Sequence, residues 1–168
     1  GLALTPVKFG ISFTTSFLNQ AGALVNIYND GTLLVNHGGT EMGQGLHTKI
    51  QQIAALEMGV AFNKVKVNAT NTSKVPNTSP TAASSGSDIN GMAVKNAIDI
   101  LKARLADVAV SEFATHNPGH HFSGEFVIFE NDTVYYSQMP EAKISFQELV
   151  KSAYLRQISL SSTGFYRT

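Results

Sequence analysis

Apolar positions run together most clearly along residues 23–28 and 32–37, two runs that flank Asn29-Asp30-Gly31. Asp-Gly between such runs predicts a β-hairpin with a primed turn, because those turns need positive φ. Upstream, residues 2–4 and 8–13 read as a further extended segment. From about Gln44 to Met58 the period changes: Leu46, Ile50, Ile53 and Ala54 recur at helical spacing, and Gly59 stops the helix. Val65-Lys66-Val67 reads as a short strand. Residues 68–90 are dense in Asn, Ser and Thr, a loop of a length that is usually functional. A second helix starts near Ser87 with Ile89, Ala93, Ala97, Leu101, Leu105 and Val108 on one face, and Asn117-Pro118-Gly119 ends it. Residues 126–129 and 133–136 form another hairpin candidate around Glu130-Asn131-Asp132, and Ser145 with Glu148 forms a capping box for a last short helix. Irregular alternation of strands and helices predicts an α+β fold, a mixed β-sheet packed with helices.

Composition narrows the chemistry. At 168 residues with 43% hydrophobic positions the chain is expected to form one domain with its own core. Twelve basic and twelve acidic residues cancel, which disfavours nucleic acid and anionic membranes as partners held by a bulk field. The absence of cysteine removes disulfides, thiolate metal sites and cysteine nucleophiles. No apolar run approaches the roughly 20 residues of a membrane helix. The ends, Gly1 without an initiator Met and an aromatic-bearing Gly164-Phe165-Tyr166-Arg167-Thr168, read as cuts in a longer polypeptide.

Two segments carry candidate chemistry. The stretch 38–49, Gly-Gly-Thr-Glu-Met-Gly-Gln-Gly-Leu-His-Thr-Lys, places glycines directly before a helix, where unpaired N–H groups and close backbone approach favour an anion. Gly38 and Gly43 share the glycine spacing of a P-loop, but Gln44 and Gly45 stand where its lysine and hydroxyl belong, so a nucleotide triphosphatase is disfavoured. Thr78 to Asp88 repeats the device with small hydroxyl residues ahead of the second helix, for which a plain N-cap at Ser84, Ser85 or Ser87 is the simpler alternative. Two such loops in a neutral domain fit one anionic ligand held from two sides. Glu41 serves either as a base or as a tie for turn amides. His37, His47 and the His120-His121 pair lack a third partner at metal-ligand spacing.

Residues 38–49, together with 8–14, 75–84 and 160–168 in the same order, resemble the molybdenum-cofactor domain of the xanthine dehydrogenase and aldehyde oxidase family. Phe13-Thr14 and the stretch 77–83 place the resemblance nearer the xanthine dehydrogenase branch. The resemblance implies a molybdenum–molybdopterin cofactor, and hydroxylation of hypoxanthine or xanthine towards urate with water as oxygen source. FAD and iron–sulfur clusters would lie elsewhere in the full enzyme. It implies that Gln44 hydrogen-bonds near the metal's oxo group and the pterin, that the Ala83 backbone lies against the molybdenum, and that Met42, Gly43, Ser84 and Ser85 contact the pterin and its phosphate. No residue would ligate the metal directly. Phe13 would pack edge-to-face on the substrate purine and Thr14 would hydrogen-bond it. The catalytic glutamate is expected beyond Thr168, and an arginine and a second phenylalanine of the pocket before Gly1, so the chain holds no catalytic residue and is expected to be inactive alone. Its partners would be the rest of the molybdopterin subunit and the FAD and iron–sulfur portion, in an oligomeric cytoplasmic enzyme. The alternatives are a related aldehyde or N-heterocycle hydroxylase, and a non-catalytic module for some other small anion.

Overall fold

The computed structural model describes residues 1–6, 10–75 and 77–168. The element order is β1 (Gln20–Ile27), β2 (Leu33–His37), α1 (Leu46–Met58), β3 (Val65–Val67), α2 (Gly86–His116), β4 (Val127–Glu130), β5 (Thr133–Tyr136), β6 (Met139–Ser145), α3 (Phe146–Leu155) and β7 (Ser161–Arg167). They form an α+β arrangement with a four-stranded mixed sheet, β3-β2-β1-β7, and a three-stranded antiparallel sheet, β4-β5-β6.

The first hairpin forms where expected, with Val25 opposite Val35 and Ile27 opposite Leu33. Its turn differs from the primed one expected. Gly31 alone takes positive φ, its N–H donates to the Tyr28 carbonyl, and Tyr28 N–H donates to Thr32, which makes a three-residue loop. Asp30 stabilises it by accepting from both the amide and the hydroxyl of Thr32. The second hairpin does use two positive-φ residues, Asn131 and Asp132.

Helices α1 and α2 cover one face of the larger sheet. Leu46, Ile50, Ala54 and Met58 of α1 and Ile89, Ala93, Ala97, Ile98 and Leu101 of α2 are buried against Val25, Val35 and Val65. α1 starts at Leu46 rather than near Gln44 because Gly43 and Gly45 are both left-handed. Gly59 ends it at φ +76, and a Cβ there would stand 2.2 Å from the Phe129 carbonyl oxygen, so this glycine also sets the approach of the second sheet. The far half of α2 packs on α3 and the smaller sheet, with Phe113 beside Phe122 and Tyr136. The Ser145–Glu148 capping box forms as expected.

Two strands were not legible beforehand. β6 is an edge strand carrying Pro140, a position that tolerates a missing N–H. β7 pairs antiparallel with β1 across its whole length, Ala23 opposite Gly164. A Cβ on Gly164 would lie 2.0 Å from the Ala93 carbonyl oxygen, so only glycine lets α2 seat on the sheet. The extended segment expected at the N-terminus does not form a strand among the described residues: Leu2 and Leu4 are fully exposed without a pairing neighbour, and the backbone turns at Ser12, φ +84. Lys8 and Phe9 of that segment lie outside the described residues.

Candidate functional site

The glycine-rich turn 38–45 connects β2 to α1, and the segment 68–85 connects β3 to α2. Both end beside one another because β2 and β3 are parallel neighbours, so the following helices start from the same end of the sheet. Glycine is needed at Gly38 and Gly39 for closeness: a Cβ on Gly38 would meet Thr78 Oγ1 at 2.1 Å, and one on Gly39 would meet Leu46 at 2.6 Å and Asn90 Nδ2 at 2.9 Å. At Gly43 and Gly45 there is open space, and the requirement is positive φ alone.

Direct bonds tie the two turns together. The Thr40 N–H donates to Thr81 Oγ1 at 2.7 Å, and Thr70 Oγ1 donates to the Gly39 carbonyl at 2.5 Å. A third segment joins them: the Ser12 N–H donates to the Ala83 carbonyl at 2.9 Å. Ser12, Ala83 and Ser84 all take φ between +53 and +84, a concentration of left-handed non-glycine residues at one junction. Backbone strain of this kind gathers at functional sites.

The turn before α1 satisfies most of its own amides. Glu41 Oε1 accepts from Gly43 at 2.9 Å and Gly45 at 3.0 Å, and Oε2 accepts from His47 at 3.0 Å. These bonds, the His47 amide first, hold the Glu41 carboxyl below its ordinary range. Glu41 is therefore the tie for turn amides, and the picture of free N–H groups at this helix start is revised. The α1 end already carries a carboxylate of its own. Gln44 clasps the same turn, its Oε1 accepting from Met42 N–H at 2.6 Å and its Nε2 donating to the Thr40 carbonyl at 2.9 Å. One Nε2 hydrogen and one lone pair remain for a ligand on this exposed side chain.

The α2 end is different. Ser85 occupies the N-cap position without capping: its hydroxyl, buried, donates to the Ala82 carbonyl at 3.1 Å. Helix geometry leaves the first-turn amides of α2 without intrahelical partners, and the acidic residue of that turn is Asp88.

Between the two ends lies a cleft of about 380 Å³ lined by Met42, Gln44, Lys49, Thr81, Ser84 and Ser87, floored by Leu46 and Gly86. The structure thus brings Met42, Gln44 and Ser84 to one opening, with Ala83 behind them bonded to Ser12, while Ser85 faces inward. Lys49, Thr81 and Ser87 were missed as site residues. Helical period was the signal for Lys49, since Leu46 and Ile50 point into the core and leave it on the open side. Phe13 is half-buried and Thr14 exposed. The Phe13 backbone is bracketed by buried Asn19, which accepts from its N–H and donates to its carbonyl. A larger cleft of about 630 Å³ between α2, β6 and α3 lies away from the 38–45 turn and the 68–85 segment and is rimmed by Glu112, Lys143 and Lys151. Left-handed non-glycine backbone and close glycine approaches concentrate at the smaller cleft, which makes it the candidate site.

Among the described residues no three or more His, Asp or Glu gather to hold a metal ion, and no helix is long and apolar enough to cross a membrane. The cleft fits the anionic organic part of a cofactor: a lysine, three hydroxyl residues and the α2 first turn line it, with an amide side chain beside them.

Comparison with known proteins agrees. The family model described as molybdopterin cofactor-binding domain matches residues 1–168. The chain is 46% identical over 167 residues to the xanthine dehydrogenase/oxidase of Gallus gallus, covering 99% of this chain and 10% of that protein. It is 46% identical over 168 residues to the xanthine dehydrogenase of Oryza sativa subsp. japonica, covering 100% and 10%. The chain thus spans about one tenth of the length of these curated relatives. Among solved structures, quinoline 2-oxidoreductase from Pseudomonas putida 86 superposes with a TM-score of 0.79 at 25% identity, over 88% of this chain and 19% of that one. CO dehydrogenase from Oligotropha carboxidovorans shares the fold, with a TM-score of 0.76 at 21% identity over 88% and 18%. With a model matched from end to end, the chain belongs to the molybdopterin cofactor-binding domain family.

Proposed function

We propose that this chain is a single-domain segment of a xanthine dehydrogenase-type molybdenum hydroxylase, and that the cleft between the α1 and α2 starts holds the molybdopterin. The observation that carries the reading is the bonding of three separate segments at one place, Thr40 to Thr81 and Ser12 to Ala83. When bound, the cofactor supplies transfer of a water-derived oxygen and storage of two electrons. Everything else falls to side chains and backbone.

Lys49 and the hydroxyls of Thr81, Ser84 and Ser87 bind the phosphate, assisted by the amides of the α2 first turn. Gln44 offers its spare donor to the pterin side, a neutral group whose charge does not change during turnover. Met42, exposed at the rim, shields the ring from water, and Gly43 holds the turn in the conformation that presents both. Ser85 acts from beneath by fixing the Ala82 carbonyl, and Ala83 leaves room above it. Phe13 positions a purine, with Thr14 as its hydrogen-bonding partner; such a ring contact contributes about 0.5–1.5 kcal/mol beyond burial. The general base and the remaining pocket residues come from other segments, as do FAD and the iron–sulfur clusters, so this chain alone does not turn over.

The test is metal and pterin content of the full-length polypeptide. Near-stoichiometric molybdenum that falls at least tenfold in the Lys49→Ala/Ser84→Ala double variant supports the reading; unchanged content overturns it. A second reading, hydroxylation of another N-heterocycle, is favoured by the likeness to quinoline 2-oxidoreductase. Steady-state rates on xanthine, quinoline and an aromatic aldehyde separate the two, with xanthine expected to dominate.

A further inference from the structure

Beneath the glycine turn sits a polar cluster that cofactor binding does not use. His37, the last residue of β2, is 2% exposed, and its ring stands edge-on to that of His47 on α1 with centroids 5.1 Å apart. Its Nδ1 accepts the Gly39 N–H at 3.1 Å. That bond fixes the proton on Nε2, which is buried without a partner, as is His47 Nε2. Gly39 is closely surrounded: a Cβ built on it would stand 2.6 Å from Leu46, 2.9 Å from Asn90 Nδ2 and 3.1 Å from His37 Nδ1.

We propose that His37 is a positioning residue that latches the 38–45 turn through Gly39, and that protonation of its ring releases the turn. An imidazolium carries hydrogen on both nitrogens, so Nδ1–H would face Gly39 N–H, donor against donor, at a ring that is 2% exposed. The surroundings decide how readily this happens. From α1 comes His47, from the turn the carboxylate of Glu41, from α2 the neutral Asn90, from the 68–85 segment the hydroxyls of Thr70 and Thr78, and from β1 Ala23 across the strand pair. Burial, aided by His47 and opposed by Glu41, lowers His37 from 6.5 to about 4, so the closed turn excludes the proton. An opened turn would restore the ordinary value. Opening is therefore favoured progressively as pH falls below about 6.5, by about tenfold at pH 5.5.

The latch stands on the geometry of this chain; its consequence for cofactor retention rests on the function proposed above. Hydrogen exchange of residues 38–47 in the full-length polypeptide, corrected for intrinsic rates, reads the latch without reference to the cofactor. Protection is expected to fall about tenfold between pH 7.5 and 5.5 in the wild type. In His37→Asn, whose Oδ1 replaces Nδ1 as acceptor but does not titrate, it should change less than twofold. An equal fall in both proteins overturns the proposal. Should the variant fold poorly, the wild-type profile alone decides: a bend near pH 6.5 supports the latch and a flat profile overturns it. Molybdenum retained on desalting at each pH is measured in parallel. An acid-opened turn that keeps its molybdenum supports the latch and counts against the cofactor role of the turn.

Discussion

Asn19 brackets Phe13: its Oδ1 accepts the Phe13 N–H at 2.9 Å and its Nδ2 donates to the Phe13 carbonyl at 2.8 Å. The bracket is buried at the start of β1, and the Asn19 carbonyl in turn accepts from Thr168 N–H beyond β7. An irregular segment is thereby fixed to the regular sheet at the point where the proposed purine-packing ring emerges. Asn19→Leu removes both bonds and leaves the two half-buried Phe13 backbone groups without their partner, a loss of about 0.5–1.5 kcal/mol for each bond. The expected kinetic outcome is a raised KM for the purine with a smaller change in kcat, because the ring positions and does no chemistry. Steady-state kinetics on the full-length enzyme check it, and a kcat that falls as far as kcat/KM would show that the bracket matters to more than Phe13.

Ala83 and Ser84 sit consecutively at φ +53 and +55, a conformation that costs non-glycine residues roughly 1–2 kcal/mol each. Glycine relieves it. Ala83→Gly is expected to leave stability unchanged or raised by up to about 1 kcal/mol, and Ala83→Val to lower it by more than about 2 kcal/mol, since β-branched residues tolerate positive φ least. Denaturant midpoints on both variants measure this. If Ala83→Gly also loses molybdenum, the strained pair is holding a shape the cofactor needs, beyond what chain stability requires.

Glu41 makes the α1 start pH-dependent with a definite sign. The amides of His47, Gly45 and Gly43 favour its charged form and lower its folded value below the ordinary 4.5. The stabilisation is therefore complete above pH 4.5 and is lost as pH falls through the lowered value. Glu41→Gln keeps one acceptor oxygen and removes the charge. It should speed exchange at Gly43 and Gly45 several-fold at neutral pH and flatten the acid dependence below pH 4.5. Because this range lies below that of the His37 latch, the two can be separated in one titration.

How much of this was legible depended on distance along the chain. The hairpin at Asn29-Asp30-Gly31, the α1 stop at Gly59 and the Ser145–Glu148 capping box are local devices, and their residues announce them. β7 is not local. Its Ser-Ser-Thr-Gly composition reads as loop, and it is a strand because β1 pairs with it and Gly164 admits α2. The candidate site divides in the same way. Met42, Gln44 and Ser84 were named through the family resemblance of their segments, whereas the bonds of Asn19, Thr81 and Thr70 span 6, 41 and 31 residues and appear only in the folded chain. Glu41 was readable only as an alternative, since the choice between a base and an amide tie needs the three amides in view.

Gly164 sets the approach of α2 to the sheet. Its Cα touches the α2 backbone, where a Cβ would stand 2.0 Å from the Ala93 carbonyl and 2.5 Å from the Ala97 amide. α2 runs without a break from this contact back to Gly86, where the cleft begins. A methyl group cannot be absorbed by rotating a side chain, because both opposing atoms are backbone, so the helix must move off the sheet as a unit. Overpacking of this kind costs typically about 1–3 kcal/mol. Gly164→Ala is therefore expected to lower stability by at least that much and to carry the α2 start away from the α1 turn, stretching the Thr40–Thr81 bond. Molybdenum content and thermal stability should fall together. Ile98→Val, which trims the same buried helix without displacing it, should cost only about 0.5–1.5 kcal/mol and leave molybdenum bound. Equal molybdenum loss in both would mean that general destabilisation, and not helix placement, governs the cleft.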